Sequence, residues 1–117
     1  MKDLEATRHF YHDLLTLPLI TLAEGRHVFF RAGSSVLLCF IADKTLQEPE
    51  LPPHGATGSI HFAFEVEQQE YAAALQTISD SKIPILHHHK WPNGRRSFYF
   101  HDPDGNVVEV VEKGLWD

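Results

Sequence analysis

The stretch Ser97–Glu112, SFYFHDPDGNVVEVVE, decides the fold. At its centre stands Asp102-Pro103-Asp104-Gly105, which is turn chemistry. An aspartate bonds back to its own backbone, a proline presets φ, and a glycine takes a left-handed corner. On either side run Arg96–His101 and Val107–Glu112, rich in aromatic and β-branched residues, so the whole reads as an antiparallel hairpin. Side chains alternate along a strand, which puts Ser97, Tyr99 and His101 on one face. Val108 and Val110 are best spent under a helix, leaving Glu109 on the opposite face.

Upstream of the hairpin come the turn Trp91-Pro92-Asn93-Gly94 and the strand Ile83–His89. Tyr71–Ser79 precedes them as a helix with Tyr71, Ala74, Leu75 and Ile78 as its buried stripe. Before it, Ile60–Val66 alternates, with Ile60, Phe62, Phe64 and Val66 on one face and His61, Ala63 and Glu65 on the other. The earlier half follows the same order without the leading strand. Asp3–Leu15 is an amphipathic helix with Asp3 as N-cap, and Pro18 prevents its continuation. Leu19–Ala23, His27–Ala32 and Ser35–Ile41 are strands, the last two joined by a tight turn at Gly33-Ser34. Asp43–Thr57 carries Pro49, Pro52, Pro53 and Gly55, supports no periodic structure and reads as a linker.

HVFFRAG (27–33) aligns over RSFYFHD (96–102), and SVLLCFI (35–41) over NVVEVVE (106–112), as a degenerate repeat. The expected fold is α+β, of tandem βαβββ modules whose curved mixed sheets form a cleft, with the first strand of module 1 absent from this chain. Module 1 spans about 1–42, the linker 43–58 and module 2 about 59–117, together one domain.

Composition narrows the function. The single cysteine, Cys39, rules out an internal disulfide and reads as a small core residue. Ten basic against sixteen acidic residues give a net charge of −6, with the basic ones scattered, which argues against nucleic acid. No apolar run approaches the roughly 20 residues of a membrane span, and the start is charged rather than signal-like, so the expected compartment is the cytoplasm. There is no Gly-rich phosphate loop, no CxxC pair and no serine nucleophile elbow.

Nine histidines are the compositional oddity. His61 and Glu109 project to the same face of module 2, where they are either a strand-face histidine and a solvated glutamate, or two thirds of a His/His/carboxylate metal site. Tyr99, two strands' worth of geometry from Glu109, is either an amphipathic tyrosine or a group that orients or protonates a ligand. Of His87, His88 and His89, only His87 and His89 share a face. His27 and Arg31 alternate onto the open face of module 1 and suit an anionic substrate, and Phe29, Trp91 and Tyr99 are candidate aromatic lining. His9, His12 and His54 are expected to have no catalytic role.

DLEATRHFYHDLLTLPL (3–19), GSIHFAFEV (58–66) and SFYFHDPDGNVVEVVE (97–112) together resemble the vicinal-oxygen-chelate family. This family holds glyoxalase I, extradiol dioxygenases, fosfomycin-resistance thiol transferases and bleomycin-resistance proteins. Bacterial members share the segments EGRHVFFR, PPHGATG and WPNGRRS and the GLW tail. The resemblance implies that His61 and Glu109 are metal ligands and that Tyr99 contacts substrate. It implies a divalent transition metal (Fe, Mn, Zn or Ni), a small oxygen-chelating substrate and a homodimer. Lyase or isomerase, thiol-transfer and dioxygenase chemistry all lie within it, and a metal-free drug-binding protein is the alternative. The family strand that precedes the first helix, and normally supplies another ligand, has no counterpart before this helix. Where glyoxalase I carries a further glutamate, this chain offers Leu38 with Cys39 beside it, which speaks against glyoxalase I.

Overall fold

Asp3 opens the first helix in the computed structural model, which describes residues 1–117. Its Oδ1 accepts from the backbone N–H of Glu5 (2.9 Å) and Ala6 (3.3 Å), occupying donors that a helix start leaves free. The α-helical turn α1 (Leu4–Arg8) passes into a π-helical segment, His9–Leu14, and the Leu15 N–H donates to Phe10 O, five residues back. The wider winding accompanies burial of two consecutive rings, Phe10 and Tyr11, which meet edge to face at 5.0 Å. Thr16, in the left-handed region at φ 61°, and then Pro18 end the helix.

The chain divides into two compact units, Met1–Gly58 and Ser59–Asp117. In the first, β1 (Leu19–Ala23), β2 (His27–Ala32) and β3 (Ser35–Phe40) form an antiparallel sheet in that order. Gly33, at φ 61°, makes the two-residue turn between β2 and β3. Val28, Phe30 and Cys39 point into the core, where Phe30 lies 5.7 Å from Tyr11. The opposite face carries His27, Phe29, Arg31, Val36, Leu38 and Phe40. The expectation of mixed sheets fails in this unit, because a parallel pairing needs a strand before the helix. The segment read as structureless also contains a short helix, α2 (Ala42–Thr45). The rest of that segment is tied back to its own unit. His54 N–H donates to Thr45 O, the His54 ring meets Phe40 at 4.7 Å, and Glu48 pairs with Arg26 at 2.9 Å.

In the second unit, β4 (His61–Val66), α3 (Tyr71–Asp80), β5 (His87–Lys90), β6 (Arg96–His101) and β7 (Val107–Glu112) give a mixed sheet ordered β4-β7-β6-β5. Only β4 and β7 run parallel. The strand expected from Ile83 starts at His87 instead, because Pro84 has no N–H for a ladder and Lys82 turns the chain at φ 60°. Tyr71, Ile78, Phe98, Phe100, Val108 and Val110 make the core on the α3 side, with Tyr71 and Phe98 edge to face at 5.4 Å. Each ring of this kind contributes about 1.5–3 kcal/mol by leaving water.

The Asp102–Asn106 turn does more than reverse the chain. Asp102, buried, accepts at Oδ1 from the backbone N–H of Asp104 and Asn106, and at Oδ2 from Asn106 Nδ2, each at 2.9 Å. Asn106 Oδ1 in turn accepts from Ile60 N–H at 3.0 Å, which clamps the start of β4 beside the start of β7. His61 therefore begins its strand next to Val107.

The β7 end is held by Glu112, which accepts at Oε1 from the Arg96 backbone N–H (2.7 Å) and Nε (2.8 Å), and at Oε2 from Nη2 (3.2 Å). The Arg96 guanidinium, stacked 4.4 Å over the Tyr71 ring, holds the Glu112 carboxyl below the usual carboxylate range through this hydrogen bond, against the opposing effect of burial. A lowered folded-state pKa stabilises the fold above the unfolded value of about 4.3, and that contribution is lost as pH falls through the folded value. Urea unfolding from pH 7 to pH 3 should show Glu112→Gln less stable than wild type at pH 7, with the gap closing in acid. A gap independent of pH would contradict the assignment.

Candidate functional site

The face of the second sheet opposite α3 is a lattice fixed by strand register. Ala63, Glu109, Tyr99 and His87 stand side by side across the four strands, and Glu65, Val111, Ser97 and His89 form the next row. Val107 and His101 pair in the row where His61 begins. Glu109 is the polar centre, with only 7% of its surface exposed. A carboxylate taken this far from water needs partners. Its Oε2 accepts from the hydroxyl of Ser97 at 2.7 Å, and the Ser97 Oγ accepts from the indole Nε1–H of Trp91 at 2.9 Å. The Trp91–Gly94 turn, closed by Gly94 N–H to Trp91 O, presents that indole.

The other carboxylate oxygen, Oε1, lies 3.1 Å from Nε2 of His61. His61 Nδ1 is 3.0 Å from Val107 O, a group that only accepts, so Nδ1 carries the hydrogen. Nε2 of the neutral ring then turns its lone pair toward a carboxylate oxygen. Two acceptors at this distance need a cation between them, either a proton on Nε2 or a metal ion. Two donors about 2.0–2.2 Å from one ion, at tetrahedral to octahedral angles, stand roughly 2.9–3.5 Å apart. The 3.1 Å separation and the mixed nitrogen/oxygen donor set fit such an ion. Each donor is also anchored from behind, His61 by Val107 and Glu109 by Ser97.

Tyr99 stands directly opposite Glu109 on the neighbouring strand, closer in than its sequence position alone conveyed, with its ring 6.0 Å from that of His61. Burial pushes its phenol above the ordinary tyrosine value, with the charge of Glu109 and the hydrogen bond to it adding in the same direction. The hydroxyl therefore stays protonated at neutral pH and can donate a hydrogen bond.

The structure brings together His61, Glu109, Tyr99 and Trp91 on this face. His27, Phe29 and Arg31 lie on the open face of the first unit's sheet. There His27 stacks on Phe29 at 4.2 Å and its Nδ1 accepts from Arg26 Nη1 at 2.6 Å. Burial and then the Arg26 charge lower its pKa, so at neutral pH His27 contributes a ring and Arg26 the charge. His9 pairs with Asp13, and His12 Nδ1 meets Leu17 O at 2.7 Å. Sequence reasoning left Ser97 without a role. The available signal was a serine set among strand aromatics, diagonal to Glu109 in the hairpin register.

The repeat alignment also needs correction by one residue. Leu38 sits in its sheet where Glu109 sits in the other, and their cross-strand partners are Phe29 and Tyr99. The alignment by residue pattern set Phe29 over the buried Phe98, on the opposite face of β6, whereas cross-strand register places Phe29 at the position of Tyr99.

A family model described as a glyoxalase-like domain matches residues 1–113. The chain belongs to the glyoxalase-like family. A solved lactoylglutathione lyase from Agrobacterium tumefaciens superposes with a TM-score of 0.92 at 37% identity, covering 98% of this chain and 89% of that one. The metallothiol transferase FosB of Staphylococcus epidermidis is 25% identical over all of this chain and 79% of its own length. The glutathione transferase FosA of Serratia marcescens is 27% identical over 94% of this chain and 73% of its own. The resemblance read from the three sequence segments is therefore a family membership, and the α+β fold is the one these glyoxalase-like neighbours share.

The Tyr99 environment is testable by itself. Ultraviolet titration should place the Tyr99 phenol, taken as wild type minus Tyr99→Phe, above the ordinary value near 10. Glu109→Gln should bring it down part of the way, since burial remains. A midpoint unmoved by Glu109→Gln would show that the carboxylate does not reach the phenol.

Proposed function

We propose that this glyoxalase-like protein is a metal-dependent enzyme acting on a small substrate with adjacent oxygens. His61 and Glu109 would be its metal ligands and Tyr99 its proton donor. The supporting observation is the 3.1 Å approach of His61 Nε2 to Glu109 Oε1, with each group fixed from behind. When bound, a divalent ion such as Fe, Mn, Zn or Ni supplies Lewis acidity toward a chelated substrate oxygen. Ser97 and the indole of Trp91 hold the Glu109 carboxylate in place. Tyr99, kept protonated, gives its hydrogen bond or its proton to a substrate oxygen held next to Glu109. Trp91 at this face is a proposed substrate contact. His27, Phe29 and Arg31 are proposed contacts on the first unit's open face.

Among the reactions of the family, thiol transfer is favoured, because curated relatives carry the names metallothiol transferase and glutathione transferase. Glyoxalase I chemistry is disfavoured by Leu38 standing where the other unit has Glu109, although a lactoylglutathione lyase is among the similar structures. A metal-free binding protein is the second reading. It is supported by the two-donor set, since no group of three or more His, Cys, Asp or Glu side chains is placed to hold an ion. Metal analysis separates the two. After reconstitution, loading at this site should be near-stoichiometric, and His61→Ala and Glu109→Ala should each weaken it by about tenfold or more. The metal should also raise the thermal midpoint of wild type by more than that of either variant. Loading unchanged in both variants would overturn the ligand assignment.

We also propose a homodimer. The edge of β3 that faces away from β2 pairs with no strand, and Val36 and Leu38 are exposed beside it. Light scattering should give a mass above 13.3 kDa that falls on dilution toward it. A mass fixed at the chain value at all concentrations would exclude association.

A further inference from the structure

The same face of the second sheet holds another pair of nitrogen donors that the His61–Glu109 site does not use. β5 is the edge strand, and its sequence is His87-His88-His89-Lys90. His88 pairs with Phe98 and belongs to the α3 side, while His87 and His89 pair with Tyr99 and Ser97 on the open face. Their rings lie 5.7 Å apart with planes 32° from parallel. No hydrogen bond or ion pair engages either of these two imidazoles. His9, His12, His27 and His61, in contrast, each have a ring nitrogen engaged. Two neighbouring imidazoles with unused lone pairs are a chelating arrangement.

The dimensions agree. A ring nitrogen binds Zn2+ at about 2.0–2.1 Å, so two imidazoles sharing one ion at a tetrahedral angle have centroids roughly 5 Å apart. The observed 5.7 Å closes to that value by small rotations of two side chains, one exposed and one half-buried. The chemistry also selects the ion. The nearest carboxylate on this face along the row, Glu109, is separated from β5 by β6, two strand spacings or roughly 10 Å away. Two neutral nitrogens without a carboxylate discriminate against Mg2+ and Ca2+ and favour Cu2+, Ni2+ and Zn2+.

We propose that His87 and His89 form a second metal site, open to solvent, that takes Cu2+, Ni2+ or Zn2+ and completes its coordination with water or an exogenous anion. It does not depend on metal binding by His61 and Glu109. Its position gives it a consequence for that face. The Tyr99 ring lies 5.9 Å from His87 and 6.0 Å from His61, so an ion on the histidine pair stands over the approach to Tyr99. Excess metal of this class therefore obstructs the face that Glu109 and Tyr99 share.

Copper titration of the full chain in a His61→Ala background tests this while silencing the first pair. Cu2+ should bind at one equivalent per chain, with an electron paramagnetic resonance spectrum showing coupling to two imidazole nitrogens. Because the Trp91 ring lies 4.4 Å from His89, the same titration should quench tryptophan fluorescence and saturate at one equivalent. Adding His87→Gln and His89→Gln should weaken binding by about tenfold or more and abolish the two-nitrogen coupling. His88→Gln, on the other face, should change neither. The proposal is overturned if the coupling persists without His87 and His89, if His88→Gln removes it, or if no saturable Cu2+ binding is found. Metal loading by His61 and Glu109 is read separately, as the difference between wild type and His61→Ala, so failure of one site does not imply failure of the other.

Discussion

A carboxylate with almost no access to water is the constraint around which the second unit is organised. Glu109 is tolerable in a strand of four valines and one other glutamate only because Ser97 donates to one of its oxygens and the other faces His61 Nε2, with a proton or a metal ion between them. Those partners come from two different strands, and each must be in register to within one residue, since a slip of one would turn either side chain to the α3 face. The parallel pairing of β4 with β7 and the antiparallel pairing of β6 with β7 are therefore both fixed by one side chain's needs. The Asp102–Asn106 turn enforces the first of these by bonding Asn106 to the Ile60 N–H just before His61. Core, turn and polar centre specify the same arrangement, which is what a single well-defined native state requires.

The two units show what happens with and without that constraint. Leu38, half of its surface exposed, occupies in the first sheet the place of Glu109 in the second, and Phe29 occupies that of Tyr99. One face carries acid–base groups, and the other carries rings and aliphatics. The first unit's polar interactions shift to its rim instead, where Arg26 bridges His27 and Glu48. A duplicated scaffold has kept its packing rule in both halves while its chemistry is concentrated in one.

Much of this was legible in the chain. Strand alternation alone placed His61 and Glu109 on a common face, because each is flanked by residues that belong in a core: Phe62 and Phe64, Val108 and Val110. The Asp-Pro-Asp-Gly turn and the Gly33 turn announced their hairpins through local chemistry. What was hidden depends on tertiary contact. Ser97 has no local reason to be polar, and only its neighbour across the hairpin explains it. The late start of β5 turns on Pro84 and Lys82, a missing donor and a left-handed residue, which outweigh the β-propensity of Ile83 and Ile85. The short helix after β3 was masked by the prolines that follow it.

The π-helical segment His9–Leu14 has a consequence for how this chain tolerates changes of length. A π-turn is equivalent to an α-helix with one residue inserted. Deleting a single residue there would restore ordinary α winding and a continuous hydrogen-bond ladder, so the backbone itself would accept the loss. The core would not. Phe10 and Tyr11 are consecutive yet both buried, and an α-helical stripe one residue shorter would rotate one of the two rings about 100° toward solvent. The segment is thus an insertion kept in place by the pair of aromatics it allows into the core, and a variant lacking it would leave a void near Phe30 that only a larger neighbour could fill.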